Sequence, residues 1–143
     1  MSRHAPPTRS DYRRFVAITT RWMDNDVYGH VNNVVYYSWI DTAVNRVLID
    51  NGLLDIAASP IVAVAAESGC RYFAPVSYPD AVAVGLRVAS LGRSSVRYQA
   101  GIFRNDDDAA AAEGHFVHVY VDRADMRPVP MPDEVRSALQ QLQ

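Results

Sequence analysis

One long helical pattern constrains the fold of this 143-residue chain more than any other feature. Apolar residues recur there at three- and four-residue spacing and form one face, which comprises Tyr36, Trp39, Ile40, Ala43, Val44, Val47 and Leu48. Asn32 or Asn33 can cap the first turn, and Gly52 supplies the left-handed residue that commonly ends a helix. A helix of about 19 residues is roughly 28 Å long, and its apolar face needs a sheet to pack on.

Strand-like segments on both sides of this helix supply such a sheet. They are residues 13–22 before the helix and residues 61–73, 81–91, 94–105 and 110–122 after it, separated by turn signals such as Gly92-Arg93. The order predicts one α+β domain over residues 1–143, with a five-stranded antiparallel sheet around one central helix. Residues 1–11 are expected to form a loose arm, and residues 133–143 a short helix that buries Val135, Leu139 and Leu142.

The predicted sheet has edge strands that need a partner. A Val- and Ala-rich edge invites pairing with another chain, so we expect self-association as a homodimer, with the sheet continued across the dimer. Cys70 falls on the same alternating face of its strand as Val62, Val64 and Tyr72, which favours a packing role.

Composition excludes several classes of function. The formal net charge of −2 argues against a nucleic-acid binder, and the longest apolar run, residues 61–66, is far short of the ~20 residues of a membrane span. A single cysteine permits no internal disulfide. We therefore expect a cytoplasmic protein, and no His, Cys, Asp or Glu spacing predicts a metal or a cofactor.

The segment just before the long helix concentrates the polar residues that could carry chemistry. Asp24 and Asp26 are two positions apart and point the same way in extended chain, and a helix N-terminus with unpaired N–H groups follows them. A carboxylate acting as base or nucleophile, beside amides that stabilise an oxyanion, is a minimal apparatus for attack on an acyl carbonyl. Either aspartate could instead form a turn or a cap, and His30 could be a proton shuttle or a capping residue.

The stretch RWMDNDVYGHVNNVVYYSWID resembles the signature D-x-D-x-x-G-H-V-N-N-x-x-Y of hotdog-fold acyl-CoA thioesterases of the 4-hydroxybenzoyl-CoA thioesterase type. The resemblance implies that Asp26 is the catalytic carboxylate, and that amides around Asn32 and Asn33 polarise the thioester carbonyl. It further implies that His30 orients the site and that acyl-CoA lies across a subunit interface. The resemblance also implies that the homodimer can associate further into a dimer of dimers. Plant-type acyl-carrier-protein thioesterases have Asn where this chain has Tyr28.

The resemblance also implies a place for the substrate. Arg93, Ser94 and Ser95 lie on the hairpin where members of the family contact the CoA phosphates. Tyr36 could line the acyl pocket, although at helical spacing it could equally serve packing. The acyl group itself stays open.

Three other functions remain open from the sequence. A hotdog hydratase or dehydratase usually has a D-x-N-x-x-H arrangement, which the segment from Asp24 to His30 does not reproduce. A non-catalytic acyl-CoA-binding module has no evident need for a carboxylate facing a thioester. An acyl-carrier-protein thioesterase is the third alternative to an acyl-CoA thioesterase.

Overall fold

The computed structural model describes residues 4–143, which form one five-stranded antiparallel sheet packed on a long central helix. The strands are β1 (Arg14–Thr19), β2 (Ile61–Tyr72), β3 (Ala81–Leu91), β4 (Ser95–Arg104) and β5 (Ala112–Asp122), and the helices are α1 (Asn33–Asp50) and α2 (Asp133–Gln140). The strand order across the sheet is β1-β3-β4-β5-β2, with every neighbouring pair antiparallel. The α+β hotdog architecture is therefore confirmed.

Helix α1 lies where the apolar pattern predicts it. Its seven buried residues are the predicted ones: Tyr36, Trp39, Ile40, Ala43, Val44, Val47 and Leu48. Asn32 is the N-cap, and Gly52 follows the helix with a φ of 69°. Ile40 packs so close to Gly114 of β5 that a Cβ there would come within 2.5 Å of the Ile40 Cδ1 atom. The inner face of the sheet therefore fits the helix closely.

Strand β2 contains a bulge that the sequence pattern conceals. Its register with β5 shifts by one residue between Ala65 and Glu67. The extra residue exchanges the faces that the following side chains occupy. Ala63, before the bulge, and Cys70, after it, consequently pack against the same core. The expectation that Cys70 shares a face with Val64 is wrong, because it assumed unbroken alternation.

The N-terminal arm was expected to be loose over residues 1–11, but Pro7 and Arg9 attach it to the rest of the domain. The carbonyl oxygen of Pro7 accepts a hydrogen bond from the chain after β4 at 2.9 Å. The Arg9 guanidinium donates to the Asn105 carbonyl at 2.9 Å and lies 4.9 Å over the ring of Phe103. A cation over an aromatic face and two backbone links hold the arm in place. Residues 1–3 of the arm lie outside the described part of the chain.

The C-terminal helix α2 also has the expected buried face. Val135, Leu139 and Leu142 are all buried. The helix ends at Gln140, and the following turn lets the Leu142 carbonyl accept a hydrogen bond from Val88 of β3 at 2.8 Å. This contact fastens the end of the chain to the sheet.

Candidate active site

A buried carboxylate fixes the loop between β1 and α1. Asp24 has no exposed surface, and its side chain accepts hydrogen bonds from Arg21 through the backbone N–H, Nε and Nη2 at 2.8, 2.9 and 2.8 Å. The Asp24 carbonyl oxygen accepts a hydrogen bond from the Asn32 N–H at 2.9 Å. The ion pair therefore holds Asp24 within the loop, and the backbone hydrogen bond ties Asp24 to the start of α1. A 3₁₀ turn at residues 22–24 directs Asp24 inward, so the expectation that Asp24 and Asp26 point the same way is wrong.

Asp26 sits in a tight turn that leaves one carboxylate oxygen available. Its N–H donates to the His30 carbonyl at 2.8 Å, and its carbonyl accepts from the Gly29 N–H at 3.1 Å. Gly29 has a φ of 80°, which glycine adopts without a steric penalty. Oδ1 of Asp26 accepts a hydrogen bond from the Tyr28 N–H at 2.8 Å. Within residues 4–143, no donor is bonded to Oδ2.

A pocket of about 410 Å³ opens between this loop and the start of α1. Four predicted site residues line it, namely Asp26, His30, Asn33 and Tyr36. The other lining residues are Val31, Asn32, Tyr72, Phe73, Ala74 and Pro75. Burial raises the pKa of Tyr36, so its hydroxyl is neutral at ordinary pH. The structure therefore brings the polar loop and the helix N-terminus into one cavity.

The first amide of α1, that of Asn33, is an unused donor, and Asn33 lines this pocket. The side-chain Oδ1 of Asn32 accepts a hydrogen bond from the Val34 N–H at 3.1 Å. The backbone carbonyl of Asn32 accepts one from the Val35 N–H at 3.0 Å. In the part of the chain that the structure describes, no hydrogen bond uses the Asn33 N–H. Such a free amide, at the positive end of the helix dipole, can bind an anionic oxygen.

The wall opposite the helix comes from residues that the sequence reasoning missed. Tyr72 ends β2, and Phe73, Ala74 and Pro75 follow it. The Tyr72 hydroxyl donates to the Asn33 carbonyl at 3.0 Å. No local motif marks this segment, because only long-range strand pairing brings the end of β2 beside the start of α1.

The hairpin predicted to contact CoA lies at the other end of the sheet. Arg104, at one end of β4, donates to the carbonyl of Pro75 in the pocket wall, whereas Ser95 begins the same strand. Nine steps of a strand span about 30 Å. Within one protomer, Arg93, Ser94 and Ser95 are therefore remote from Asp26.

Large apolar side chains are exposed on the loop that carries Asp26. Trp22 is 83% exposed, Val27 94% and Tyr28 83%. Trp22 makes an edge-to-face contact with Tyr78, with ring centroids 6.0 Å apart. Because hydrogen bonds hold this loop in place, its apolar surface suits contact with a ligand or another subunit.

A larger cavity, of about 800 Å³, lies on the opposite side of the sheet from α1. Charged residues line it, among them Arg71, Arg87, Arg97 and Glu113. None of the predicted site residues contributes to it. The two faces of the sheet thus carry separate cavities, and the predicted chemistry belongs to the smaller one.

Residues 4–143 give little support for a metal site or a cysteine nucleophile. No group of three or more His, Cys, Asp or Glu side chains there could hold a metal ion. Burial raises the pKa of the Cys70 thiol, which disfavours the nucleophilic thiolate. No helix in the same range combines the length and apolar character needed to cross a membrane.

Comparison with solved structures finds similar chains over nearly the whole length. The PA5185 protein of Pseudomonas aeruginosa strain PAO1 is 51% identical, with a TM-score of 0.94 and 96% of each chain covered. A thioesterase from Thermus thermophilus, solved with coenzyme A and Zn, is 32% identical, with a TM-score of 0.75 over 90% of this chain and 92% of that one. The BH1999 gentisyl-coenzyme A thioesterase, at 23% identity and a TM-score of 0.79 over 88% and 99% of the two chains, shares the fold.

A family model agrees with the structural likeness. The model of the thioesterase-like superfamily matches residues 20–139, a range that contains the loop of Asp26 and all of α1. The chain therefore belongs to the thioesterase-like superfamily and is a thioester hydrolase with the hotdog fold.

Proposed function

We propose that this protein hydrolyses an acyl-CoA thioester to a free carboxylic acid and CoA, with Asp26 as the catalytic carboxylate. The observation that carries the proposal is the shared pocket: Asp26 has an unbonded carboxylate oxygen, and Asn33 has an N–H that makes no hydrogen bond within residues 4–143. A base and an oxyanion donor in one cavity are the two groups that acyl transfer to water requires. The coenzyme A bound to the 32% identical thioesterase supports a CoA ester as substrate.

The reaction then proceeds in two steps. Asp26 accepts a proton from a water molecule, and the water oxygen forms a bond to the thioester carbon. The carbonyl oxygen becomes an oxyanion that accepts a hydrogen bond from the Asn33 N–H, at the positive end of α1. Collapse of the tetrahedral intermediate breaks the C–S bond, and the CoA thiolate leaves with the proton held by Asp26. Direct attack by Asp26, through an anhydride that water then cleaves, stays an alternative.

The remote Arg93 hairpin fits a site completed by a second copy of the chain. β2 is an edge strand, and Ser95 pairs with Val119, which pairs with Val64 near the start of β2. If two β2 strands pair antiparallel about a two-fold axis, the start of one lies beside the end of the other. The partner's hairpin then lies at the same end of the continued sheet as Asp26. We propose that Arg93, Ser94 and Ser95 bind the CoA phosphates from across this interface.

Replacing Asp26 by asparagine tests the chemistry. The amide oxygen of the new side chain can still accept the hydrogen bond from the Tyr28 N–H, so the turn is preserved while the base is lost. We expect kcat for thiol release to fall roughly 10²–10⁴-fold across a panel of short, medium, long and aromatic acyl-CoAs. Asp106→Asn, on the exposed turn after β4, is the matched control and should keep full activity. An Asp26→Asn enzyme as active as the control would refute the assignment.

Mixing two impaired variants tests the shared site, with acyl-CoA kept below KM so that weakened CoA binding lowers the rate. Asp26→Asn and Arg93→Glu each damage both sites of their own homodimer. After subunit exchange, half of the dimers are mixed, and each mixed dimer has one site with native Asp26 and native Arg93. We expect roughly a quarter of the wild-type activity to return, by simple counting of dimers with closed two-fold symmetry. No recovery in a mixture shown to contain mixed dimers contradicts the arrangement.

A further inference from the structure

Tyr72 contacts the candidate oxyanion donor without being part of the sequence motif. It is the last residue of edge strand β2 and lines the pocket together with Asp26. Its hydroxyl donates to the Asn33 carbonyl at 3.0 Å. Its ring packs edge-to-face on Tyr36, with centroids 5.0 Å apart, while 44% of the residue stays exposed. The hydroxyl and the ring therefore make different contacts.

The Asn33 N–H lies between two sets of hydrogen bonds that fix its direction. On the N-terminal side, the Asn32 N–H donates to the Asp24 carbonyl at 2.9 Å. The two oxygens of Asn32 accept hydrogen bonds from backbone N–H groups in the first turn of α1. On the C-terminal side, the Asn33 carbonyl accepts from Tyr72. These bonds hold the backbone on both sides of Asn33. Its own N–H is the donor they leave unused within residues 4–143.

We propose that Tyr72 is a positioning residue, whose hydroxyl holds the first turn of α1 so that the Asn33 N–H is aimed at the thioester oxygen. This inference rests on the proposed function. A donor fixed before the reaction needs no reorganisation as charge develops on the oxygen, which is why its orientation affects the rate. Tyr72 acts through Asn33 and transfers no proton. Burial raises the pKa of Tyr72, which keeps its hydroxyl protonated over the assay range.

Tyr72→Phe separates the hydroxyl from the ring. The variant keeps the edge-to-face contact with Tyr36 and removes the hydroxyl that donates to the Asn33 carbonyl. We expect kcat to fall about tenfold, less than the roughly 10²–10³-fold for an oxyanion donor removed outright, while KM changes less than about twofold. The shape of the kcat–pH curve should stay unchanged, because Tyr72 does not titrate there. Tyr78→Phe, which removes the hydroxyl of a 39% exposed residue that does not line the pocket, is the control and should match the wild type.

Amide hydrogen exchange followed by NMR provides a readout that needs no turnover. In α1, the Tyr37 N–H is bonded to the Asn33 carbonyl through the i to i−4 pattern of the helix. Losing the Tyr72 hydrogen bond should speed exchange at the Tyr37 amide about fivefold, with no change in the middle of α1. The control Tyr78→Phe should leave exchange unchanged.

The two readouts separate failure of this inference from failure of the proposed function. If the wild-type protein hydrolyses no acyl-CoA, the proposed function fails, and exchange at Tyr37 still decides whether Tyr72 holds the helix start. Unchanged exchange in Tyr72→Phe overturns the inference. So does a variant in which exchange rises but an otherwise active enzyme keeps its kcat. A fall in kcat accompanied by a large drop in Tm would assign Tyr72 a merely structural role, and that too overturns it.

Discussion

His118 should make the protein less stable in mild acid. It is 2% exposed on the inner face of β5, its Nδ1 has no hydrogen-bond partner within the described residues, and the rings of Tyr98 and Phe116 contact it edge-to-face. Burial lowers the pKa of His118 from 6.5 to about 4. The folded state thus holds His118 neutral over a range in which the unfolded chain binds a proton.

The sign and size of the effect follow from that difference in pKa. Above pH 6.5 His118 is neutral in both states, so the free energy of unfolding is at its full value. As pH falls from 6.5 to 4, only the unfolded state gains a proton, and the free energy of unfolding decreases. A difference of about 2.5 pKa units gives a total loss of about 3 kcal/mol, of which about 2 kcal/mol is lost by pH 5.

Urea unfolding at pH 7.5 and pH 5 measures this loss, with protein concentration held constant because association would also shift stability. Carboxylates titrate in acid as well, so the comparison is with His118→Phe, which keeps a ring but cannot be protonated. The nearby hydroxyls do not interfere, because burial raises the pKa of Tyr98 and raises that of Tyr120 to about 12. We expect the wild type to lose about 2 kcal/mol more than the variant between the two pH values. Equal losses would refute the assignment of the acid sensitivity to His118.

Two further predictions concern the helix and the sheet. Gly114→Ala should lower the free energy of unfolding by about 1–3 kcal/mol, because the new Cβ meets Ile40 Cδ1 at 2.5 Å and the Gly69 carbonyl at 3.0 Å. Urea unfolding measures this loss. Adding Ile40→Val, which removes the Cδ1 atom, should recover part of it. Asn32→Ala should cost about 1 kcal/mol and reduce kcat, because the cap that orients the helix start is lost. Asn32→Ser keeps an accepting oxygen and adds no charge to the pocket, so it should retain most of both; thermal unfolding and thiol release test this.

The sequence predicts α1 and the strands because each depends on local pattern. All seven buried positions of α1 repeat at helical spacing, and β3 begins and ends at the predicted residues, 81 and 91. Where the prediction fails, a non-local contact decides the outcome. The bulge between Ala65 and Glu67 is set by pairing with β5, and the N-terminal arm is held by Arg9 on Phe103, far along the chain.

The same distinction between local pattern and non-local contact applies to the candidate site. Asp26, His30, Asn33 and Tyr36 lie within one short segment, so the sequence identifies them together, and the structure places all four in one pocket. The orientation of Asp24 depends on a turn and on Arg21, which residue spacing does not specify. Tyr72 through Pro75 form the facing wall only after β2 has paired with β5, so no local pattern could have assigned them to the site.

If two chains pair through β2 as proposed, the position of the pocket at the end of that strand would link catalysis to assembly. One wall is the start of α1, fixed within the protomer by Asp24 and Asn32. The other wall follows the end of β2, which is one of the two edge strands of the sheet. Pairing of that edge with a second chain would restrain Tyr72 at the place where its hydroxyl reaches Asn33. Dimerisation would then order the oxyanion donor in addition to bringing the partner's Arg93 hairpin to the substrate. On this reasoning, a variant that dissociates the dimer should lose kcat and CoA affinity together, whereas Arg93→Ala in an intact dimer should mainly raise KM.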